Sequence, residues 1–352
     1  MATEVVRVSK ANPCPVCNKP DWCYFLGTDA VVCMRVSSNR PKKTERGDYG
    51  GYIHQLGFEI DPTDFIPATS KKNIPCADID TLHEVYSTMF SMPEFCLTAG
   101  DYKQLKRWGV SVKMAKQRGY RRLPLKGRYR IAKKLLEMGY DLKGIPGFYV
   151  KSGDDGKKYW TFAIGPGLIF PSLSPEGKIQ GFQVRLDNPG PKGNKYLWFS
   201  SACRPCGSSP GAPRHLARPT KRNQRVMFVT EGIRKADVIS EYLGVDTIGL
   251  PGVHATEGVA DYLNNLGVPV IIAYDMDLLK NSYVFEALRN LIGQIEGDVL
   301  IAGWHSKFKG QDTKGLDDLL VAGGYPKVIP VFQAIDSITA RISDIKEAEK
   351  NA

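Results

Sequence analysis

Between residues 226 and 320, apolar runs of strand length alternate with helical periods, and this restricts the fold more than any other feature of the chain. Residues 226–230, 245–249, 269–274 and 299–302 read as strands; 233–243, 256–266, 281–292 and 316–322 read as helices. Apolar strands separated by helices have to lie mostly parallel in a sheet covered on both faces. In such sheets ligands bind at the carboxyl ends of the strands, where the loops converge.

Three acidic features fall at those ends. Glu231-Gly232 follows the first strand, and its glycine permits a tight turn into the next helix. Asp275-Met276-Asp277 follows the third; in extended chain residues i and i+2 share a face, so both aspartates can aim at one point. Asp317-Asp318 opens the last short helix. Carboxylates gathered in this way repel one another unless divalent cations sit between them. Mg²⁺ bridges protein carboxylates to substrate phosphates, and a pair of ions about 4 Å apart can stabilise both the attacking and the leaving oxygen of a phosphoryl transfer. Glu231 suits either a general acid or base or a further metal ligand.

Charge is segregated along the chain. The formal net charge is +11, from 48 Lys+Arg against 37 Asp+Glu, which suits a polyanionic partner. Residues 226–320 nevertheless carry seven basic and fourteen acidic side chains, whereas 102–136 carry thirteen Lys or Arg and no acid. In the basic stretch Arg107, Arg121, Arg122 and Arg128 lie among Tyr102, Trp108, Tyr120 and Tyr129. Such interleaving suits a single strand of nucleic acid, with phosphates on the cations and bases on the rings. Leu105, Trp108, Val112 and Ala115 recur at helical spacing and are expected in the core.

Cys14-Pro-Val-Cys17, followed by Cys23 and Cys33, gives four thiols within twenty residues. No apolar run approaches the roughly 20 residues a bilayer crossing needs, and the first residues lack a secretory pattern, so a reducing cytoplasm is expected. There, such thiols point to one tetrahedral zinc, with His54 as an alternative to Cys23. Cys203-Arg-Pro-Cys206 has only His215 as a possible partner and reads as a loop, ahead of a further loop over 208–223; Cys76 and Cys96 read as ordinary thiols.

The order Glu-Gly, DxD and a third acidic motif resembles the TOPRIM domain of DnaG-like primases, topoisomerases and some nucleases. Within that group, Gly167-Leu-Ile-Phe-Pro, Gly181-Phe-Gln-Val-Arg185 and Lys195-Tyr196-Leu-Trp-Phe-Ser200 look like the amino-terminal half of the DnaG-like polymerase domain, a block that topoisomerases lack. The four cysteines resemble the zinc-binding domain of phage and bacterial primases, although the usual second C-x2-C is represented only by Cys33.

The resemblance implies that Glu231, Asp275, Asp277 and one of Asp317 or Asp318 are catalytic or bind Mg²⁺ or Mn²⁺. It also implies that Arg185 and Lys195-Tyr196 belong to a groove for template and nucleotide phosphates. Lys235, one turn into the helix after Glu231, reads equally as a triphosphate contact and as a surface lysine. The expected fold class is multidomain α/β: a zinc-binding domain (1–60), a linker (61–76), a basic helical and β-rich part (77–225), a TOPRIM domain with a mostly parallel sheet (226–325) and a helical tail (326–352).

The expected function is synthesis of RNA primers on single-stranded DNA from nucleoside triphosphates. Two alternatives remain: strand cleavage by a TOPRIM nuclease or topoisomerase-like enzyme, and a non-catalytic zinc-bearing single-strand binder. No GxxxxGK[ST] motif occurs, so any replicative helicase is expected to be a separate partner. The short segment after Tyr325 leads us to expect a phage, plasmid or other mobile-element version, or a truncated form of a longer chain.

Overall fold

A computed structural model describes the chain apart from residues 1–5, 10–13, 18, 20, 27–28, 37, 39, 44–48, 57–73, 154, 163, 190–194, 203, 212, 253–257, 277–281 and 333–352. The expected linker up to residue 73, Cys203, Asp277 and most of the expected tail therefore lie outside the described residues. By its internal contacts the chain divides into Met1–Lys72 and Asn73–Ala352.

In the first unit, β1 (Val6–Arg7), β2 (Tyr24–Leu26), β3 (Ala30–Cys33), β4 (Pro41–Lys43) and β5 (Tyr49–Gln55) form an antiparallel sheet in the order β1-β2-β3-β5-β4. Its core is small: Val8, Phe25, Val31 and Leu56, with Cys14, Cys23 and Cys33 buried among them. Among the described residues few apolar side chains are available to this core, and metal ligation is the usual supplement in small domains.

The second unit begins with α1 (Ile79–Ser91), capped by the Asp78 carboxylate, and α2 (Ala99–Arg107), which opens on a capping box between Thr98 and Asp101. Then come α3 (Val112–Gln117), β6 (Arg121–Leu123) and α4 (Arg128–Glu137). The helical run expected across 105–115 is two helices, because Gly109, at φ +76°, turns the chain after α2. The expectation for the core changes with it: Leu105 and Ala115 are buried, Trp108 is half-buried and Val112 is 51% exposed.

A hairpin of β7 (Phe148–Ser152) and β8 (Lys158–Phe162) precedes β9 (Gly167–Leu173), β10 (Ile179–Leu186) and β11 (Tyr196–Trp198). The last three join β6 in an antiparallel sheet, β11-β10-β9-β6. Phe182 and Phe199 stack with ring centroids 4.4 Å apart, and Tyr86, from α1, packs edge-on against both.

The remaining elements are β12 (His215–Ala217), β13 (Met227–Glu231), α5 (Ile233–Leu243), β14 (Asp246–Leu250), α6 (Val259–Leu266), β15 (Val270–Ile272), α7 (Ser282–Ile292), β16 (Val299–Gly303), the small hairpin β17 (Lys307–Phe308) and β18 (Gln311–Asp312), α8 (Leu316–Val321) and β19 (Lys327–Pro330). Six of the strands form one sheet, β12-β14-β13-β15-β16-β19, whose four central strands are parallel as the sequence alternation requires. Both antiparallel edges depart from expectation. Residues 215–217, expected in a loop, pair with β14; residues 327–330, expected to be helical, pair with β16. These three- and four-residue runs are too short to show a period of two in sequence, and pairing with a neighbour already in place fixes them. Among the described residues no helix is long and apolar enough to cross a membrane.

Candidate active site

The strand order reverses direction at β13: its successor β14 lies on one side and β15 on the other. Such a switch point opens a crevice at the carboxyl ends of those strands. Glu231 ends β13, and Asp275 stands three residues past β15. Gly232, at φ +83°, starts α5, and its amide donates to the Leu250 carbonyl at 2.6 Å. The same crevice contains a cavity of about 250 Å³ lined in part by Gln183, Tyr196, Glu231, Arg234 and Lys235.

Asp317, in the first turn of α8, completes the acidic group. The loop before α8 is tied to the loop after β15, since the Met276 amide donates to the Lys314 carbonyl at 3.1 Å. At Gly315 a Cβ would meet Asp317 Oδ1 and lie 3.2 Å from Asp275 Oδ1, so the two carboxylates flank one small volume that only a glycine leaves open. Asp317 is almost fully buried, and its Oδ1 has no hydrogen-bond partner. A buried, unpaired carboxylate oxygen beside a second carboxylate is what a hard cation with oxygen ligands requires. The donor set therefore fits Mg²⁺ or Mn²⁺.

Asp318 has a different environment. It is exposed, and its carboxylate accepts from the Gly315 amide at 3.1 Å as the cap of α8. Partial desolvation of its carboxyl first, and then the charge of Asp317, push its pKa up although the residue reaches the surface. Burial and the Glu231 charge likewise raise the phenol of Tyr274.

Two cations from α5 enter the same crevice. Lys235 Nζ lies 2.5 Å from Asp275 Oδ1, and Arg234 pairs with Asp317 Oδ2 at 2.8 Å. Arg234 also stacks on Trp108, 5.3 Å from its centroid, and Arg185 stacks on the same ring at 4.7 Å. Arg185 is the register partner of the exposed Tyr196, beside the exposed Lys195. The structure thus brings together Arg185, Tyr196, Lys235, Asp275 and Asp317 from the sequence expectations, with Glu231 on the cavity wall. It adds Arg234, which no motif marks, and it brings in Trp108, which the sequence places both among the base-stacking rings and in the core.

The basic stretch is only partly free. Arg122 pairs with Asp101 at 2.6 Å and with Asp187; Arg121 donates to the carbonyls of Phe90 at 2.8 Å and Tyr120 at 2.9 Å. Arg128 lies over the Phe162 ring at 5.8 Å, and Tyr120 is buried. Arg121 and Arg122 are thereby committed to holding the subdomain together, whereas Arg107 is exposed at the end of α2 together with Lys103 and Lys106.

In the first unit the sulfurs of Cys14, Cys17, Cys23 and Cys33 all lie within 4.8 Å of one another; no other potential metal-holding group of three or more such residues occurs among the described residues. The Cys17–Cys23 and Cys23–Cys33 separations are 3.7 and 3.9 Å, against about 3.8 Å between thiolates 2.3 Å from one tetrahedral ion. The amides of Met34 and Val36 donate to Cys23 Sγ at 3.4 Å and Cys33 Sγ at 3.3 Å, as thiolate ligands require. His54 is not in the cluster: its Nε2 is bonded to the Val36 carbonyl at 3.0 Å. His215 is also unavailable as a ligand, buried with Nδ1 accepting from the Leu173 amide at 3.0 Å and Nε2 3.2 Å from Asp237.

The sequence matches no protein-family model and no curated protein. Its structure is similar to the crystal structure of the Aquifex aeolicus primase zinc-binding and RNA polymerase domains, with a TM-score of 0.51 and 15% identity over 75% of this chain and 67% of that one. It is also similar to the RNA polymerase domain of Mycobacterium tuberculosis primase DnaG (TM-score 0.50, 13% identity, 74% of this chain and 86% of that one). The same domain in complex with a double-stranded DNA oligomer with a 6-nucleotide overhang gives 0.51 at 15% identity, over 74% of this chain and 84% of that one. At these identities the likeness is one of fold: the chain has the fold of the RNA polymerase domain of DnaG-type primases.

Proposed function

We propose that the chain is a primase, a nucleotidyltransferase that joins ribonucleoside triphosphates into short RNA primers on single-stranded DNA and releases pyrophosphate. One observation carries the reading: the orphaned oxygen of Asp317 and the carboxylate of Asp275 flank one small volume next to Gly315, within a fold shared with primase polymerase domains. In this reading Glu231, Asp275, Asp277 and Asp317 hold Mg²⁺ or Mn²⁺, which when bound supplies the positive charge that stabilises the attacking and leaving oxygens. Asp318 supports Asp317 by capping α8.

Arg185, Lys195, Tyr196 and the Trp108 ring form the wall along which template and nucleotide phosphates lie, and Arg107 with its neighbouring lysines extends it. The four cysteines hold zinc, and the zinc-binding domain (1–60), joined through the linker (61–76), selects the start site. The basic part (77–225) and the TOPRIM part (226–325) together form the polymerase. A separate replicative helicase is the expected partner.

The test is primer synthesis by the full chain on random single-stranded templates with labelled ribonucleotides. Short RNAs that need a divalent metal, and that disappear in Asp275→Ala and Asp317→Ala variants that retain their melting temperature, are expected. Undiminished synthesis by those variants overturns the assignment. Shortening of labelled template by the native chain without nucleotides replaces it with strand cleavage.

A further inference from the structure

We propose that Lys235 is a resident cation of the acidic centre, standing beside Asp275 where a second divalent ion would otherwise bind, so that without nucleotide the chain holds one divalent ion there instead of two. The inference rests on the reading of Asp275 and Asp317 as metal ligands.

The arrangement of the four side chains is specific. Lys235 reaches Asp275 Oδ1 at 2.5 Å with its own side chain 23% exposed, and Arg234 takes Asp317 Oδ2 at 2.8 Å. Of these carboxylate oxygens, Asp317 Oδ1 is the one left buried without a partner. One such oxygen, facing Asp275 across the space beside Gly315, marks one ligand position.

Lys235 is also held where it is. The next residues of α5, Ala236 and Asp237, are fully buried, and the Ala236 amide donates to the Gly232 carbonyl at 3.2 Å, so the backbone cannot carry the ammonium away. The Lys235 ammonium is thereby held directly against Asp275 Oδ1. A divalent ion placed against the same oxygen would face that charge at a few ångströms, in surroundings that screen it poorly. The second ion is therefore expected to enter with a nucleoside triphosphate, whose phosphates offer Lys235 a new partner and whose oxygens already hold the ion.

The experiment is titration of the zinc-loaded full chain with Mn²⁺, free Mn²⁺ being read by electron paramagnetic resonance, in the absence of nucleotide. One Mn²⁺ per native chain is expected. Lys235→Met should take up a second ion or bind the first at least about tenfold more tightly. Should Lys235→Met not fold, Lys235→Gln carries the same comparison. Two ions on the native chain, or a Lys235 variant with native stoichiometry and affinity, would overturn the inference and leave the metal reading standing. Absence of any Mn²⁺ that Asp317→Asn removes, in native and Lys235 variants alike, would overturn the metal reading itself.

Discussion

The Tyr120 hydroxyl donates to Asp237 Oδ2 at 2.7 Å, and with both residues buried this bond joins the end of the basic helical segment to the helix that leaves the acidic centre. Asp237 Oδ1 receives Arg118 at 3.1 Å and His215 at 3.2 Å. Removing one donor leaves a buried carboxylate oxygen short of a partner, whereas the ring of Tyr120 keeps its packing on Phe170. Tyr120→Phe should therefore cost about 1–3 kcal/mol, read as a lower midpoint of chemical unfolding with an unchanged slope. A midpoint equal to that of the native chain would show the bond to be dispensable.

The same carboxylate sets an acid limit. Burial opposes its ionisation, but the His215 ring, the Arg118 guanidinium and the Tyr120 hydroxyl outweigh it and hold the Asp237 pKa below its ordinary value of 3.8. A carboxylate with a depressed folded pKa contributes stability that is fully present above its unfolded pKa and is lost as pH falls through the folded one. The native chain should keep this contribution down to about pH 4 and lose it below, while Asp237→Asn should be less stable near pH 7 and show a shallower acid loss. Parallel stability-against-pH curves for the two proteins would contradict this.

The parallel sheet was legible because its strands are apolar, run up to Glu231, Gly249, Asp275 and Gly303, and are spaced by helical periods; the expected limits of α5 coincide with Ile233–Leu243. The difference between Asp317 and Asp318 was not legible. It depends on the register of a six-residue helix, which buries one and gives the other to the cap. Nor does sequence separate a phosphate-binding arginine from a structural one. Arg122 finds Asp101 and Asp187 at separations of 21 and 65 residues, and only tertiary packing brings those carboxylates to it. The fourth thiol was legible in composition, but excluding His54 required knowing that its ring faces the Val36 carbonyl.

The cysteine cluster makes a sharp prediction for the first unit. One zinc per chain should be released by a thiol-reactive reagent in a chromogenic assay. Cys23→Ser should lower that content and loosen residues 6–56 to proteolysis, since three of the four cysteines belong to the small core. His54→Ala should retain full zinc, because its ring lies outside the sulfur cluster. Loss of zinc from His54→Ala with retention in Cys23→Ser would reverse the assignment of the fourth ligand.

Trp108 should matter through the two guanidinium groups that stack on it. A cation over an indole face contributes about 0.5–2 kcal/mol, depending on how far it is withdrawn from water. Trp108→Ala releases both Arg185 and Arg234 from the ring and leaves the ion pair of Arg234 with Asp317 in place. We expect single-strand affinity and primer yield to fall together in Trp108→Ala, with Trp108→Phe recovering most of both. A loss confined to thermal stability would make the ring a packing element alone.

Salt dependence distinguishes the two kinds of basic residue in the 102–136 segment. Each phosphate contact to a single strand contributes about 0.7 to the slope of log K against log[salt], so removing a contact flattens the slope by that amount. Lys106 and Arg107 are exposed, without an ion-pair partner among the described residues, at the end of α2 next to Trp108. Lys106→Ala and Arg107→Ala should each flatten the slope by about 0.7 and leave the unfolding midpoint in place. Arg122 is anchored by Asp101 on α2 and by Asp187 just beyond β10, with its side chain 26% exposed. Arg122→Ala should therefore leave the slope nearly unchanged and lower the midpoint, because it strands the carboxylate of Asp101, which is buried and already shared with the cap of α2. Binding isotherms at four or more salt concentrations, with unfolding curves on the same preparations, decide it: if Arg122→Ala flattens the slope as much as Arg107→Ala does, the ion pairs of Arg122 open when the strand binds, and its role is not confined to the fold.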